Sequence, residues 1–160
     1  MNDVMITSQG GLTARDGVLP PTTPNATAQI RQMEEIIATL PQIELTTNHV
    51  IHAGIYSRTI CIPAGAALTS VLIKIPTTLV VCGKCSVLIG DAQEVMLDGY
   101  HVFAASAGRK QAYIAHADTF VTMSFKTNAR TVEEAEQEFT DEAGILMSRH
   151  GVNEVVVTGD

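Results

Sequence analysis

Gly54-Ile55-Tyr56-Ser57-Arg58-Thr59-Ile60-Cys61-Ile62-Pro63-Ala64-Gly65 is the stretch that decides the fold. Ile, Thr and Tyr dominate its centre, and Gly54 on one side and Pro63 and Gly65 on the other supply the fixed or positive φ of turns, so Ile55–Ile62 reads as a strand. Working outward, the same pattern predicts strands over Ile43–Thr47, Leu68–Ile75, Leu79–Val81, Ser86–Ile89, Glu94–Leu97, His101–Ala105, Gln111–Ala115 and Thr119–Phe125. Pro76, Gly83, Gly90-Asp91, Asp98-Gly99, Gly108 and Asp118 punctuate them. Many short antiparallel strands at this spacing predict a mainly β sandwich or jelly roll. No segment of this region keeps a 3.6-residue period over ten residues, which argues against a βαβ alternation.

The chain has 160 residues, enough for one domain with arms and an aliphatic core: 46% of residues are hydrophobic, only 4% aromatic, and there is no Trp. Ten Lys and Arg against seventeen Asp and Glu give a net charge of −7, which repels phosphate backbones and anionic lipid and predicts neither nucleic acid nor membrane as partner. Arg109-Lys110 is the densest basic pair and reads as a solvated turn. Met1–Gly11 lacks the basic and apolar regions of a secretory signal, and no apolar run reaches the ~18 residues of a membrane span. A soluble protein made in a cytosol is expected, and three cysteines, an odd number, fit a reduced compartment.

Three regions are expected. Residues 1–41 form an extended Thr, Gly and Pro-rich arm to about Asn25, then an amphipathic helix over Ala28–Leu40, with Ile30, Met33, Ile37 and Leu40 on one stripe and Pro41 as its stop. Residues 42–128 form the barrel. Residues 129–160 begin with Thr131-Val132-Glu133-Glu134, a capping-box spacing that starts a helix from Val132 to about Ala143. Its acids Glu133, Glu134, Glu136, Glu138, Asp141 and Glu142 read as a solvated face. The terminal run Val155-Val156-Val157-Thr158 is a candidate for strand addition to a sheet edge.

The run Gly54–Gly65, with Gly99-Tyr100-His101-Val102-Phe103 and His116-Ala117-Asp118-Thr119, resembles the cupin superfamily, and more narrowly small cupin-like proteins of tailed bacteriophages, over about residues 24 to 142. The resemblance implies a jelly-roll barrel with a metal centre. Laid from Gly65 to Gly83, its two His places fall near Val71 and Ile73 and its Glu place near Thr77 or Thr78. After the turn Ser106-Ala107-Gly108, its third His place falls on Gln111. A divalent ion needs three or four donors converging at about 2.0–2.6 Å, and Val or Ile offers none, so no metal or cofactor is expected.

Cys82-Gly83-Lys84-Cys85 has the spacing of half a zinc site or a redox pair, but it reads as two thiols bracketing a hairpin turn, with Cys61, a histidine or a second subunit as the alternative source of further ligands. His49 and His52, three apart, point to opposite faces of an extended chain, His101 follows a turn, and His116 is expected to bond Asp118 locally; His150 completes the set. Ser57 and Ser106 have no base beside them. No catalytic, cofactor-binding or metal-binding residue is therefore assigned.

The expected function is non-catalytic: a structural or assembly protein of a tailed bacteriophage particle, made in the host cytoplasm and residing in the virion, homo-oligomeric and in contact with other phage structural proteins. The alternative is a small-molecule-binding cupin module with a barrel mouth lined by Gln111, Tyr113, His101 and Tyr56, for which an open cavity is the discriminating feature. A cupin enzyme with a displaced metal site is the third reading.

Overall fold

The computed structural model describes residues 17–90 and 93–159. Among them the order is β1 (Val18–Leu19), α1 (Pro24–Ala38), β2 (Thr47–His52), β3 (Ile55–Ile62), β4 (Ala67–Thr69), β5 (Thr77–Gly90), β6 (Gln93–Ala105), β7 (Ala112–Ala115), β8 (Thr119–Lys126), α2 (Val132–Phe139) and β9 (Asn153–Val157). The described residues form a mainly β jelly roll with two α-helices. The arm expected over Met1–Asn25 lies mostly outside the described residues.

The long ribbon β5–β6 belongs to two sheets. It pairs antiparallel from Thr77↔Ala105 to Gly90↔Gln93. On the other side of β5, Thr78–Cys82 pair with β8, whereas Cys85–Leu88 pair with β7. Hydrogen bonding runs unbroken through all nine described strands, so the two sheets are halves of one: β1-β6-β5-β8-β3-β2-β9, and the branch that leaves the far half of the ribbon through β7 to β4. The handover falls at Gly83, which pairs with Gly99. Gly83 has φ +147°, and a Cβ there would lie 2.6 Å from both the Asp118 carbonyl and the Thr119 hydroxyl. Only glycine lets β5 pass so close to the turn between β7 and β8.

That geometry corrects three expectations. The pairs Leu79–Val81 with Ser86–Ile89, and Glu94–Leu97 with His101–Ala105, are single strands, because paired glycines bend a ribbon without ending it. Cys82-Gly83-Lys84-Cys85 is consequently mid-strand and not a hairpin turn. Cys82 pairs with Tyr100 and is exposed while Cys85 pairs with Leu97 and is buried, so the two thiols face opposite sides of the sheet. The strand expected over Ile43–Thr47 instead starts at Thr47, and of Leu68–Ile75 only the first part is strand, with Ile73 bridging to Arg109 beyond it.

The helix α1 begins four residues before the periodic stripe suggested. Thr23 accepts a hydrogen bond from the Ala26 N–H, and Pro24 occupies the first helical position, where its missing N–H is harmless. Ala26 and Ile30 are buried, so α1 covers its own barrel. Two ion pairs hold it: Lys110 Nζ to Glu34 at 3.1 Å, and Arg31 to Glu142 at 2.7 Å. The basic pair Arg109-Lys110 is thus no solvated turn. Both residues are fully buried, Lys110 on the face beneath α1 and Arg109 toward the interior.

The helix α2 starts at the predicted cap, the Thr131 hydroxyl accepting from the Glu134 N–H, but ends at Phe139. Its acidic face is only partly solvated. Glu136 is 1% exposed, accepts from Arg58 at 3.1 Å, from Arg149 Nε at 2.6 Å and from the Ser148 hydroxyl, and so ties α2 to β3 and to the turn Met147–Arg149. The strand β9 adds in cis, parallel to β2, with all five residues exposed. Replacing Gly83 by Ala is expected to lower stability by about 3 kcal/mol, the upper end of the usual scale of forced overpacking, read by urea unfolding.

Candidate functional site

Between the two sheets lies a cavity of about 770 Å³. Its walls are the inward residues Ile60, Ile62, Val71, Ile73, Leu79, Val121 and Met123, and its mouth is framed by Ile37 and Leu40 of α1, by Leu45, and by Ile145–Met147. These residues point inward because period-2 alternation places Leu79 and Val81 of β5, and Val121 and Met123 of β8, on one face. The volume lies within the ~300–1,000 Å³ of small-molecule sites.

Three of the four places assigned to metal ligands by the cupin resemblance do face this space. Val71, Ile73 and Gln111 line it. Thr77 is buried nearby, with its hydroxyl 2.6 Å from Arg109 Nη2. This donor set does not fit a divalent ion: two members are aliphatic, one is an amide and one a hydroxyl held by a guanidinium. Among the described residues no three His, Cys, Asp or Glu side chains converge.

The polar side of the cavity is the pair Gln111 and Tyr113, two residues apart on one inward face, and the Tyr113 hydroxyl donates to Gln111 Oε1 at 3.0 Å. Arg109 precedes them, buried in the interior but outside the cavity lining. Burial raises the Tyr113 hydroxyl well above the ordinary tyrosine range, so it is a neutral donor. Arg109 Nη1 donates to the Ser106 carbonyl at 2.9 Å and the Ala105 carbonyl at 3.4 Å, while its Nε has no partner among the described residues. All its bonded partners are neutral, so its charge is uncompensated by direct contact. Burial lowers the guanidinium pKa from its usual value, and Tyr113 opposes that shift.

Of the four side chains expected at the mouth, Gln111 and Tyr113 line the cavity and His101 and Tyr56 do not. His101 Nε2 bonds the Asp98 carbonyl at 2.9 Å and its ring stacks on Phe103. Tyr56 is wholly buried among Phe125 and Phe139, with its hydroxyl 2.8 Å from His49 Nδ1 and its pKa pushed up to about 12 by burial. His52 bonds Thr158, and His150 bonds the Gly144 carbonyl at 3.3 Å. His116 bonds Ser86 Oγ at 2.8 Å, and Asp118 instead accepts from the Ala64 N–H. The expected His116–Asp118 bond is therefore not formed. The Ser86–His116 pair joins residues 30 apart and left no local signal; Ser86 is fully buried, which removes it as a nucleophile for an incoming substrate. Cys85 is likewise buried, its thiol pushed up to about 11.

His49 is a structural relay. It is 1% exposed on β2, touches Tyr56 on β3, and its Nε2 meets Asn153 Oδ1 on β9 at 2.8 Å. Asn153 Nδ2 donates to the Ser148 carbonyl, so its Oδ1 accepts from His49 Nε2–H and leaves Nδ1 to accept from Tyr56.

No protein-family model and no curated protein matches the chain. Solved structures similar to it include ectoine synthase from P. lautus (17% identity, 68% of this chain and 91% of that one, TM-score 0.47). Others are a cupin superfamily protein from Desulfitobacterium hafniense DCB-2 (11%, 58% and 88%, TM-score 0.42) and the cupin domain of Cnp3 from Schizosaccharomyces pombe (16%, 66% and 75%, TM-score 0.41). At these values the likeness assigns no activity, ligand or partner; the fold rests on the strand order and register given above.

Burial lowers the His49 pKa from 6.5. Below about pH 6.5 the unfolded chain takes up a proton that the native imidazole resists, so stability present at higher pH is lost as pH falls. Thermal melts between pH 7.5 and 5.5 are expected to show a falling Tm, with a flatter profile in His49→Gln.

Proposed function

We propose that this protein is a non-catalytic binding module, independent of metal, that takes an apolar small molecule with one hydrogen-bonding end into the barrel. The observation that carries this reading is the open cavity with the Gln111–Tyr113 pair on an otherwise aliphatic wall. Aliphatic groups at Val71 and Ile73 give a ligand contact area where a chelating site needs donors. Transfer of each CH₂ from water contributes about 0.8 kcal/mol, so an eight-carbon chain gains roughly 6 kcal/mol before the cost of immobilisation. The polar end of the ligand meets Tyr113 and Gln111, and the guanidinium of Arg109, which lies outside the cavity lining but close enough to interact electrostatically with Tyr113, biases that end toward an anion.

Titration calorimetry with octanoate, decanoate and decanol tests this. Micromolar binding is expected, tighter for the carboxylates than for the alcohol. Tyr113→Phe is expected to weaken it about fivefold, the equivalent of one hydrogen bond of roughly 1 kcal/mol, and Val71→Phe with Met123→Phe to abolish it by filling the space. Absence of heat with all three ligands, in a protein whose melt is cooperative, refutes the proposal.

A second reading, a subunit of a tailed-phage particle, is favoured by β9, whose Val155, Val156 and Val157 are 50%, 57% and 47% exposed at the rim of the large sheet. Its placement in a virion rests on the sequence resemblance. Mass spectrometry of purified particles is expected to find it at a copy number that is a fixed fraction of the major capsid protein; a trace amount argues against it.

A further inference from the structure

The outer face of the large sheet is a second site, one that neither the cavity nor the β9 edge accounts for. Strand register places one residue from each of seven strands in a row across it: Val18, Ala104, Thr78, Ser124, Ser57, Val50 and Val156. The next row is Val102, Val80, Thr122, Thr59, Asn48 and Glu154, and the third Tyr100, Cys82, Phe120 and Cys61. In a chain of net charge −7, the single charged side chain in these three rows is Glu154, at the far edge. Large apolar groups stand in the open: Tyr100 is 69% exposed, Phe120 50% and Val102 48%.

The polar members are also prepared for burial. Ser57 and Ser124 hydrogen-bond each other across β3 and β8 at 2.7 Å, and Thr59 and Thr122 do so at 2.8 Å. Hydroxyls whose bonds are met within the sheet lose less when water is removed than free ones. Charged residues on this face are displaced to its ends, with Lys84 and Asp98 beyond the third row and Lys126 beyond the first. An isolated soluble sheet face normally alternates polar and charged residues outward, and a face this neutral marks a contact surface.

The geometry points to a second copy of this chain as the occupant, packed face to face about a two-fold axis. A neutral face is self-complementary, since it brings no like charges together, whereas the rest of this acidic surface repels its own copy. The three rows hold seven, six and four positions, and at about 6.8 Å by 4.8 Å for each they project to roughly 550 Å² per partner, or about 1,100 Å² for the pair, which clears the ~1,000 Å² expected of a specific interface. Sheets so packed lie about 10 Å apart with strands near −30°. The inference does not depend on what fills the cavity.

Analytical ultracentrifugation of the full chain at about 5–100 µM, the range in which interfaces of this size associate, tests it. A dimer is expected. Two independent variants, Thr122→Lys and Val102→Lys, place charges on the face and are expected to raise the dimer dissociation constant at least 100-fold. Both positions point away from the core, and circular dichroism melts confirm that the variants fold. As a control for edge pairing, Val155→Pro blocks hydrogen bonding at β9 and is expected to leave the dimer intact. A monomeric wild type, or a dimer that survives both lysines, overturns the inference; a dimer lost only with Val155→Pro assigns the interface to the β9 edge and overturns it equally.

Discussion

Everything in this molecule depends on a bend that only glycine permits. The β5–β6 ribbon must serve two sheets, and at the point of transfer β5 runs against the backbone of Asp118 and Thr119 with no room for a Cβ at Gly83. Gly99 across the ribbon removes the opposing side chain as well. With both absent, twelve paired positions, Thr77↔Ala105 to Leu88↔Glu94, stay continuous while the strand changes neighbour from β8 to β7. The two sheets then diverge around an interior, and the cavity is the space that divergence leaves. A turn at this point, as the C-x-x-C spacing suggests on its own, would yield two separate hairpins and no enclosed space.

Charge inside the barrel follows from the same enclosure. Lys110 is fully buried, yet its ammonium has Glu34 at 3.1 Å and the Ser70 carbonyl at 2.5 Å, so desolvation is offset at each contact. Glu136 has two guanidinium groups and a hydroxyl. Removal of one partner from such a buried pair costs about 3–5 kcal/mol, because a charge is left without compensation. The Glu136 cluster joins α2 to β3, the Lys110 cluster joins α1 to the segments just after β4 and just before β7, and Glu34 and Arg58 from these clusters also border the cavity. The elements that close the mouth are thus fixed by ion pairs, while the wall itself stays aliphatic. Arg109 stands apart from both clusters, since its contacts are neutral and one N–H is unmet among the described residues.

Strands with strong local signals were legible in the sequence. Ile55–Ile62 is legible with its observed bounds because Gly54 and the Pro63-Ala64-Gly65 turn mark both ends. The cap at Thr131 was equally visible. Errors arose where a residue type has two uses. Glycine in Gly83 and Gly99 marks a bend here and a turn elsewhere. Pro24 looked like part of an arm, but after Thr23 it opens a helix. Arg109-Lys110 looked solvated because basic pairs near Gly108 usually are, and only the bridge to Ile73 and the packing of α1 reveal its burial. The site was half legible. Alternation places Gln111 and Tyr113 on one face, whereas Tyr56 and His101, also inward, meet partners on other strands that no local pattern announces.

The cavity and the outer face are made by the same strands, and period-2 alternation keeps them chemically separate. In β5, Leu79 and Val81 face in while Thr78 and Val80 face out; in β8, Val121 and Met123 face in while Thr122 and Ser124 face out. A one-residue slip between β3 and β8 would exchange the two sets, exposing Val121 and Met123 and burying unpaired hydroxyls. The Ser57–Ser124 and Thr59–Thr122 hydrogen bonds form only in the observed register. The small hydroxyl residues of the outer face therefore do two things at once: they keep it free of charge, and they hold the register on which the inner wall depends. The two faces share strands but no side chains, so association through the outer face and binding within the cavity are expected to be thermodynamically independent.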